Sequence, residues 1–271
     1  MDGLSTLDET VDSLLMKQTT TSDEIQSTIN PDIFFKYNSV NLVIGKRGSG
    51  KTYAVGREAL KLALIPNCPY TQIFYITDKV RDDTFERIIE LLQNTGIQVS
   101  WVKTNDAVKV IQTITTAKGK LASSKWCEEN PEDAEVFRQC MNVRKTDSSS
   151  FGANSKLSRL GVIPHTLIIF DDCIGLFKKD SQLSKKLFEN RQSRITYILI
   201  LQDVQGISAS MKANIDSLML FGGFPKSKWN ILTYQLPPFE FSYYDYAQLD
   251  VHDYVFFDYI DNSIIIKRRY A

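Results

Sequence analysis

Two short stretches of the chain concentrate the residues able to do chemistry. The first is "GKRGSGKT", Gly45 to Thr52, which satisfies G-x-x-x-x-G-K-[ST] with an apolar strand-like run before it and helix-forming residues after it. Gly45, Gly48 and Gly50 let the backbone wrap around an anion, with Lys46, Arg47 and Ser49 completing the turn, so that main-chain N–H groups meet phosphate oxygens at the positive end of a helix. Lys51 is placed to reach β- and γ-phosphates, and the Thr52 hydroxyl is a hard oxygen ligand suited to Mg²⁺. These residues predict nucleotide binding.

The second stretch is "HTLIIFDD", His165 to Asp172, an apolar strand ending in paired acids. A nucleoside triphosphatase needs a carboxylate at such a strand end to hold the water shell of Mg²⁺, and Asp171 fits that role. Asp172 then points towards the γ-phosphate, where it either polarises an attacking water or remains a solvated acid at a strand end. The next strand, "ITYILILQD", ends in Gln202. That amide either senses the γ-phosphate and its attacking water or is an ordinary satisfied polar group.

Between the paired acids and that strand lies "GLFKKDSQLSKKLFENRQSR", with Lys178, Lys179, Lys185, Lys186, Arg191 and Arg194 against Asp180 and Glu189. Such a run is commonly the solvated face of a helix. Because the segment leaves the catalytic edge, Arg191 and Arg194 are also candidates for an arginine that reaches a neighbouring subunit's γ-phosphate. The lysines, with Lys118, Lys120, Arg144, Lys145, Lys156 and Arg159, offer contacts to a nucleic-acid backbone that carry no sequence information.

The elements that must position these groups follow from periodicity. "NLVIG", "QIFYIT", "QVSWV", "HTLIIF", "ITYILIL" and "SLMLFG" read as short buried strands, and "KTYAVGREALKLAL", "DTFERIIELLQ", "NDAVKVIQTITTA" and "QLSKKLFENRQ" carry helical spacing. Strands apolar on both sides, alternating with helices, predict an α/β fold: a mostly parallel sheet sandwiched by helices. Residues 1–30 are rich in Ser, Thr and acids and predict a flexible tail; 31–271 form one domain, with a surface insertion expected at 118–160. Asp261-Asn262 between two β-rich runs predicts a C-terminal β-hairpin. The aromatic residues after Phe224 serve either as packing or as stacking surfaces for bases.

Composition narrows the class. The chain has 271 residues, 43% of them hydrophobic, and its 32 basic and 32 acidic residues cancel, so a nucleic-acid contact must come from local charge. Four cysteines stand singly beside only two histidines, which argues against a structural zinc site and for a soluble protein in a reducing, intracellular setting. The longest apolar runs fall far short of the roughly 20 residues that span a bilayer.

"GKRGSGKT", "LIIFDD", the strand-terminal Gln202, and "NRQSRITYILILQD" followed by "MKANIDSLML" resemble the FtsK–HerA superfamily of DNA-pumping ATPases. The likeness is greatest to the vaccinia-type genome-packaging ATPases of nucleocytoplasmic large DNA viruses and their smaller relatives. It covers about residues 38–222. The packaging branch usually has a Gly-Arg-His-like triplet where this chain has Asn190-Arg191-Gln192, and often an arginine at the position of Lys212. The resemblance implies a P-loop NTPase of the RecA-like (ASCE) type that binds ATP through Gly45–Thr52 and Mg²⁺ through Thr52 and Asp171, with Asp172 as base, Gln202 as sensor and an arginine near Arg191 serving the neighbour's site. It further implies a ring of five or six subunits that threads double-stranded DNA into a preformed capsid, with portal or vertex proteins as partners, in the host-cell cytoplasm or assembly site, or in the virion. Against this stand a helicase, a small-molecule phosphotransferase on the same loop, and a nucleotide switch without turnover.

Overall fold

The computed structural model describes residues 34–36, 38–64, 70–79, 83–121, 165–179, 183, 186–187, 190, 193–205 and 207–268. The expected tail, most of the expected insertion, Arg191 and most of the segment 182–192 lie outside the described residues. In chain order the elements are β1 (Val40–Ile44), α1 (Lys51–Leu64), β2 (Tyr70–Ile76), α2 (Asp83–Asn94), β3 (Gln98–Val102), α3 (Thr104–Leu121), β4 (His165–Asp171), α4 (Ile174–Lys179), β5 (Ile195–Leu201), α5 (Ala209–Lys212), β6 (Ser217–Phe221), α6 (Lys226–Gln235), α7 (Tyr243–Tyr246), β7 (Tyr254–Asp258) and β8 (Ser263–Lys267). Helix α3 runs to Leu121, past Lys118, where the insertion was expected to begin.

The strands form one eight-stranded sheet in the order β3-β2-β4-β5-β1-β6-β7-β8. From β3 to β6 every pairing is parallel; β7 joins β6 antiparallel, and β8 closes a hairpin on β7. The expected mostly parallel sheet and terminal hairpin are both present, and Asn262 in the hairpin turn has φ 51°, a left-handed conformation that asparagine tolerates. Strands β1, β4 and β5 are buried at every position, as a sheet covered on both faces requires.

Alternation along each strand divides the core in two. On one face Leu42, Ile44, Ile168, Phe170, Leu199 and Leu201 pack against α3, α4 and α6 through Ile111, Phe177 and Trp229. On the other, Val43, Leu167, Ile169, Ile198 and Ile200 pack against α1 and α2 through Val55, Leu60, Ile88 and Leu91. Helix α1 approaches α2 so closely that a Cβ on Gly56 would sit 2.4 Å from Ile88 Cδ1. That contact accounts for a glycine in a helix interior, where it costs about 1 kcal/mol relative to alanine.

The aromatic C-terminal region is largely packing. Trp229 lies within 4.5 to 6.3 Å, centroid to centroid, of Tyr246, Phe239, Tyr243 and Phe241, and Phe239 stacks on Phe257 of β7. The Tyr246 hydroxyl donates to Phe221 O at 2.7 Å and accepts from Phe224 N at 3.1 Å. This pins the chain after β6, and burial pushes the phenol pKa up to about 12. Among the region's described large aromatics only Tyr234 and Tyr244 are strongly exposed, at 90% and 76%.

Candidate active site

The sequence order puts β1 between β5 and β6, while the chain leaves β1 in one direction to build β2 and β3 and later returns to add β6 on the other side. Ligands of open α/β sheets bind outside the carboxyl ends of strands at such a reversal, and here that edge gathers the ends of β1, β5 and β4 side by side. In register, Ile44 stands opposite Leu201, and Asp171 opposite Ile200. Gly45 N donates to Leu201 O at 3.3 Å and Asp172 N to Ile200 O at 2.9 Å. The tip of β5, carrying Gln202, is thereby held between the glycine-rich loop and the paired acids.

The loop turns through Gly48 (φ 77°) and Gly50 (φ 87°), a left-handed backbone that only glycine adopts at no cost. At its entry a Cβ on Gly45 would lie 2.5 Å from Ser49 Oγ and 2.8 Å from Phe221 Cβ, so the loop is packed flush against β6. Lys46 and Arg47 are exposed and Ser49 is buried. Lys51 opens α1, and its ammonium bonds back to Gly45 O at 2.8 Å and Lys46 O at 2.7 Å, lying across the loop where an anion would be gripped. Burial first, and after it the Lys79 ammonium, lowers the Lys51 pKa; Asp171 and Asp172 oppose that shift.

Thr52 and Asp171, 119 residues apart, are in direct contact: the Thr52 hydroxyl donates to Asp171 Oδ2 at 2.9 Å. Asp171 is buried, and both of its carboxylate oxygens accept. Tyr75 of β2 also donates to Oδ2, and Lys79 Nζ meets Oδ1 at 2.7 Å. Burial first, and then the charge of Asp171, drives the Tyr75 pKa upward, so the phenol keeps its proton and remains a donor. Asp172 sits at φ 62°, an uncommon conformation for a residue other than glycine, and the turn it makes leaves its carboxylate partly exposed. Gln202 Nε2 donates to Asp172 Oδ2 at 2.8 Å, and Lys79 Nζ lies 3.8 Å from the same oxygen. Cys173, the next residue, is a buried thiol donating to Ile76 O at 3.1 Å; burial and then Asp171 push its pKa up to about 12.

This arrangement fits a magnesium-bound triphosphate. Two hard oxygens, from Thr52 and Asp171, adjoin a phosphate-sized loop. Among the described residues no cluster of three or more His, Cys, Asp or Glu side chains could hold a metal by itself. Magnesium suits such a place, since it keeps several waters and is typically shared between one or two protein oxygens and substrate phosphates.

The structure thus brings together Gly45–Thr52, Asp171, Asp172 and Gln202, as expected from sequence, and adds Lys79 and Tyr75, which sequence reasoning missed. It places Arg194 away from these residues. That residue precedes β5 at the opposite edge of the sheet, is 3% exposed with φ 52°, and its carbonyl accepts from Thr166 N at 3.1 Å at the foot of β4. The segment leaves β4 at the catalytic edge but enters β5 at the other, and Arg194 lies at its far end. Lys212, in "MKANIDSLML", is tied to α6 through Gln235 Oε1 at 2.8 Å.

The fold and the site together have the form of a P-loop ATPase. No family model matches the sequence, and no curated protein matches it. Solved structures do match the fold. B204, the DNA-packaging ATPase of Sulfolobus turreted icosahedral virus, superposes with a TM-score of 0.51 at 14% identity, over 89% of this chain and 98% of B204. The Type VII secretion ATPase EccC of Thermomonospora curvata gives 0.56 at 12% identity, and EssC (ATPases 2 and 3) of Geobacillus thermodenitrificans 0.53 at 13%. Those two alignments take in 98% and 84% of this chain but only 32% and 39% of the longer partners. At the level of fold, the expectation drawn from the FtsK–HerA resemblance is met. No helix among the described residues is long and apolar enough to cross a membrane.

Proposed function

We propose that this protein hydrolyses ATP to move double-stranded DNA, packaging a viral genome into a preformed capsid. The single observation that carries the reading is the Thr52–Asp171 contact, which joins the phosphate loop to the strand-terminal acids at one point. Gln202 and Asp172, bonded to each other beside that point, have the roles hydrolysis needs. Lys51 would hold β- and γ-phosphate oxygens, and Thr52 and Asp171 would hold magnesium. Bound magnesium supplies neutralisation of the charge that develops on the phosphates. Asp172 accepts the proton of the attacking water, and Gln202 orients that water.

The packaging role rests on the motif order, on the resemblance to DNA-pumping ATPases, and on the basic segment after the paired acids. In this reading the chain works as a ring of five or six subunits in the host-cell cytoplasm or assembly site, Arg191 completes the neighbour's site, and portal or vertex proteins of the capsid are the docking partners. The test is steady-state ATPase activity of the assembled protein, at low salt, with and without long duplex DNA. Stimulation by duplex DNA supports a translocase. ATP turnover indifferent to DNA counts against it, and transfer of phosphate to a nucleoside or nucleotide acceptor replaces it with a phosphotransferase.

A further inference from the structure

Asp171 accepts from three donors, Thr52 and Tyr75 at Oδ2 and Lys79 at Oδ1. A hydrated magnesium ion approaching this carboxylate would compete with these donors, and its charge would act most strongly on the one that is itself a cation. Tyr75 is enclosed in the core beside Trp101, their ring centroids 4.9 Å apart, and Thr52 is itself part of the metal-binding pair. Lys79 differs from both: its side chain is 46% exposed, whereas the Asp171 side chain it contacts is 1% exposed.

The backbone beneath Lys79 is fixed. Thr77 N donates to Val102 O at 3.0 Å, Lys79 N donates to Thr77 Oγ1 at 3.1 Å, and Asp78 Oδ1 receives the Thr104 N–H at 3.1 Å at the start of α3. What can move is the lysine's own stem, four rotatable carbons carrying a compact point charge. Its ammonium already lies between Asp171 and Asp172, at 2.7 and 3.8 Å. A divalent ion at Asp171 would repel it, and a triphosphate gripped by Lys51 would offer its terminal phosphate as a new anion.

We propose that Lys79 is a switching cation that neutralises the paired acids when the loop is empty and moves onto the terminal phosphate of a bound nucleoside triphosphate. The inference rests on the nucleotide-binding part of the function proposed above and assigns the chain a phosphate contact of its own, additional to Lys51. A purely structural ion pair would hold the acids in every state and would not distinguish a triphosphate from a diphosphate.

The experiment measures Mg–ATP and Mg–ADP affinities by displacement of a fluorescent ADP derivative from the full chain, for the wild type, Lys79→Gln and Lys79→Arg. Lys79→Gln is expected to weaken ATP about tenfold and to leave ADP within about twofold, so that the preference for ATP over ADP falls about tenfold. Lys79→Arg, which keeps the charge, retains the preference within about threefold. An unchanged preference in Lys79→Gln, with ATP bound by the wild type, overturns the switch while leaving the nucleotide site intact. Failure of Lys79→Gln to fold, with Lys79→Arg folding normally, also overturns it, because Lys79 is then a structural counter-ion. A wild type that binds neither nucleotide overturns both the site and this inference.

Discussion

The two edges of the sheet are both lined with polar side chains, yet they behave differently. At the amino ends of the strands, Asn41 Nδ2 donates to Ser39 Oγ at 2.9 Å and to Tyr197 O at 3.0 Å, and Ser217 Oγ donates to Asn41 Oδ1 at 2.7 Å. Tyr70 and Thr196 share a hydroxyl contact of 2.6 Å, and Asn38 N donates to Thr196 Oγ1 at 2.9 Å. These groups are buried and mostly neutral, and they bond one another. At the carboxyl ends, Lys51, Lys79, Asp171 and Asp172 are charged, and both Lys79 and Asp172 reach solvent. Polar residues at the closed edge stitch strand starts together, whereas those at the open edge hold their charges for a ligand. In the central strands charge combined with access separates the two; beside β7 the closed edge carries its own ion pairs, Lys36 with Asp258 and Asp261.

Substitutions at the two edges should therefore fail in different ways. The largest expected effect is on turnover: Asp172→Asn should lower steady-state ATP hydrolysis by about 10²–10⁴-fold while the melting temperature and ATP binding remain close to wild type. Retained hydrolysis would remove Asp172 from the chemistry and with it the contrast between the edges. Next comes Leu199→Ala in the shared core, expected to cost about 2–5 kcal/mol in denaturant unfolding, with residual activity tracking the folded fraction.

At the closed edge, Asn41→Ala strands the partners of a buried amide and should cost about 1–3 kcal/mol. The ATPase rate per folded molecule should stay within about twofold. Arg194→Gln should act in the same sense, lowering the melting temperature and leaving the rate of the assembled protein within about twofold; a loss of hydrolysis rescued by mixing in wild-type subunits would make Arg194 the finger. The smallest effect concerns Cys173. Its folded pKa, about 12, stands above the 9.0 of a free thiol, so its proton is held by folding. This contribution is fully present below pH 9 and is lost as pH rises from there towards 12. Peptide mapping after alkylation at pH 8 should find Cys173 unmodified in the folded protein and modified once it is unfolded.

Much of this was legible in the sequence because the ingredients are local. A glycine-rich octet between a strand and a helix, and acids or an amide directly after an apolar run, mark the carboxyl ends of β1, β4 and β5 without any knowledge of strand order. Lys79 escaped because "YITDK" ends in a lysine like any other after a strand. Only the adjacency of β2 and β4 brings that lysine to Asp171, and adjacency is a tertiary property. Tyr75 escaped for a related reason, since an aromatic inside "QIFYIT" reads as core, which it is, while its hydroxyl alone serves the site. The burial of Arg194 at the amino edge was not legible either, because proximity in sequence to a basic segment says nothing about which edge its last residue reaches. The antiparallel attachment of β7 to β6 likewise depends on how the aromatic segment folds back.

The proposed site turns on one meeting point, that of Thr52 with Asp171, and a structure of the chain with magnesium and a non-hydrolysable ATP analogue tests it directly. The ion should be bound by Thr52 Oγ1 at about 2.0–2.1 Å, with Asp171 one water away and Asp172 beside Gln202 facing the terminal phosphate. An analogue seated elsewhere, or an ion out of water-mediated reach of Asp171, would contradict it.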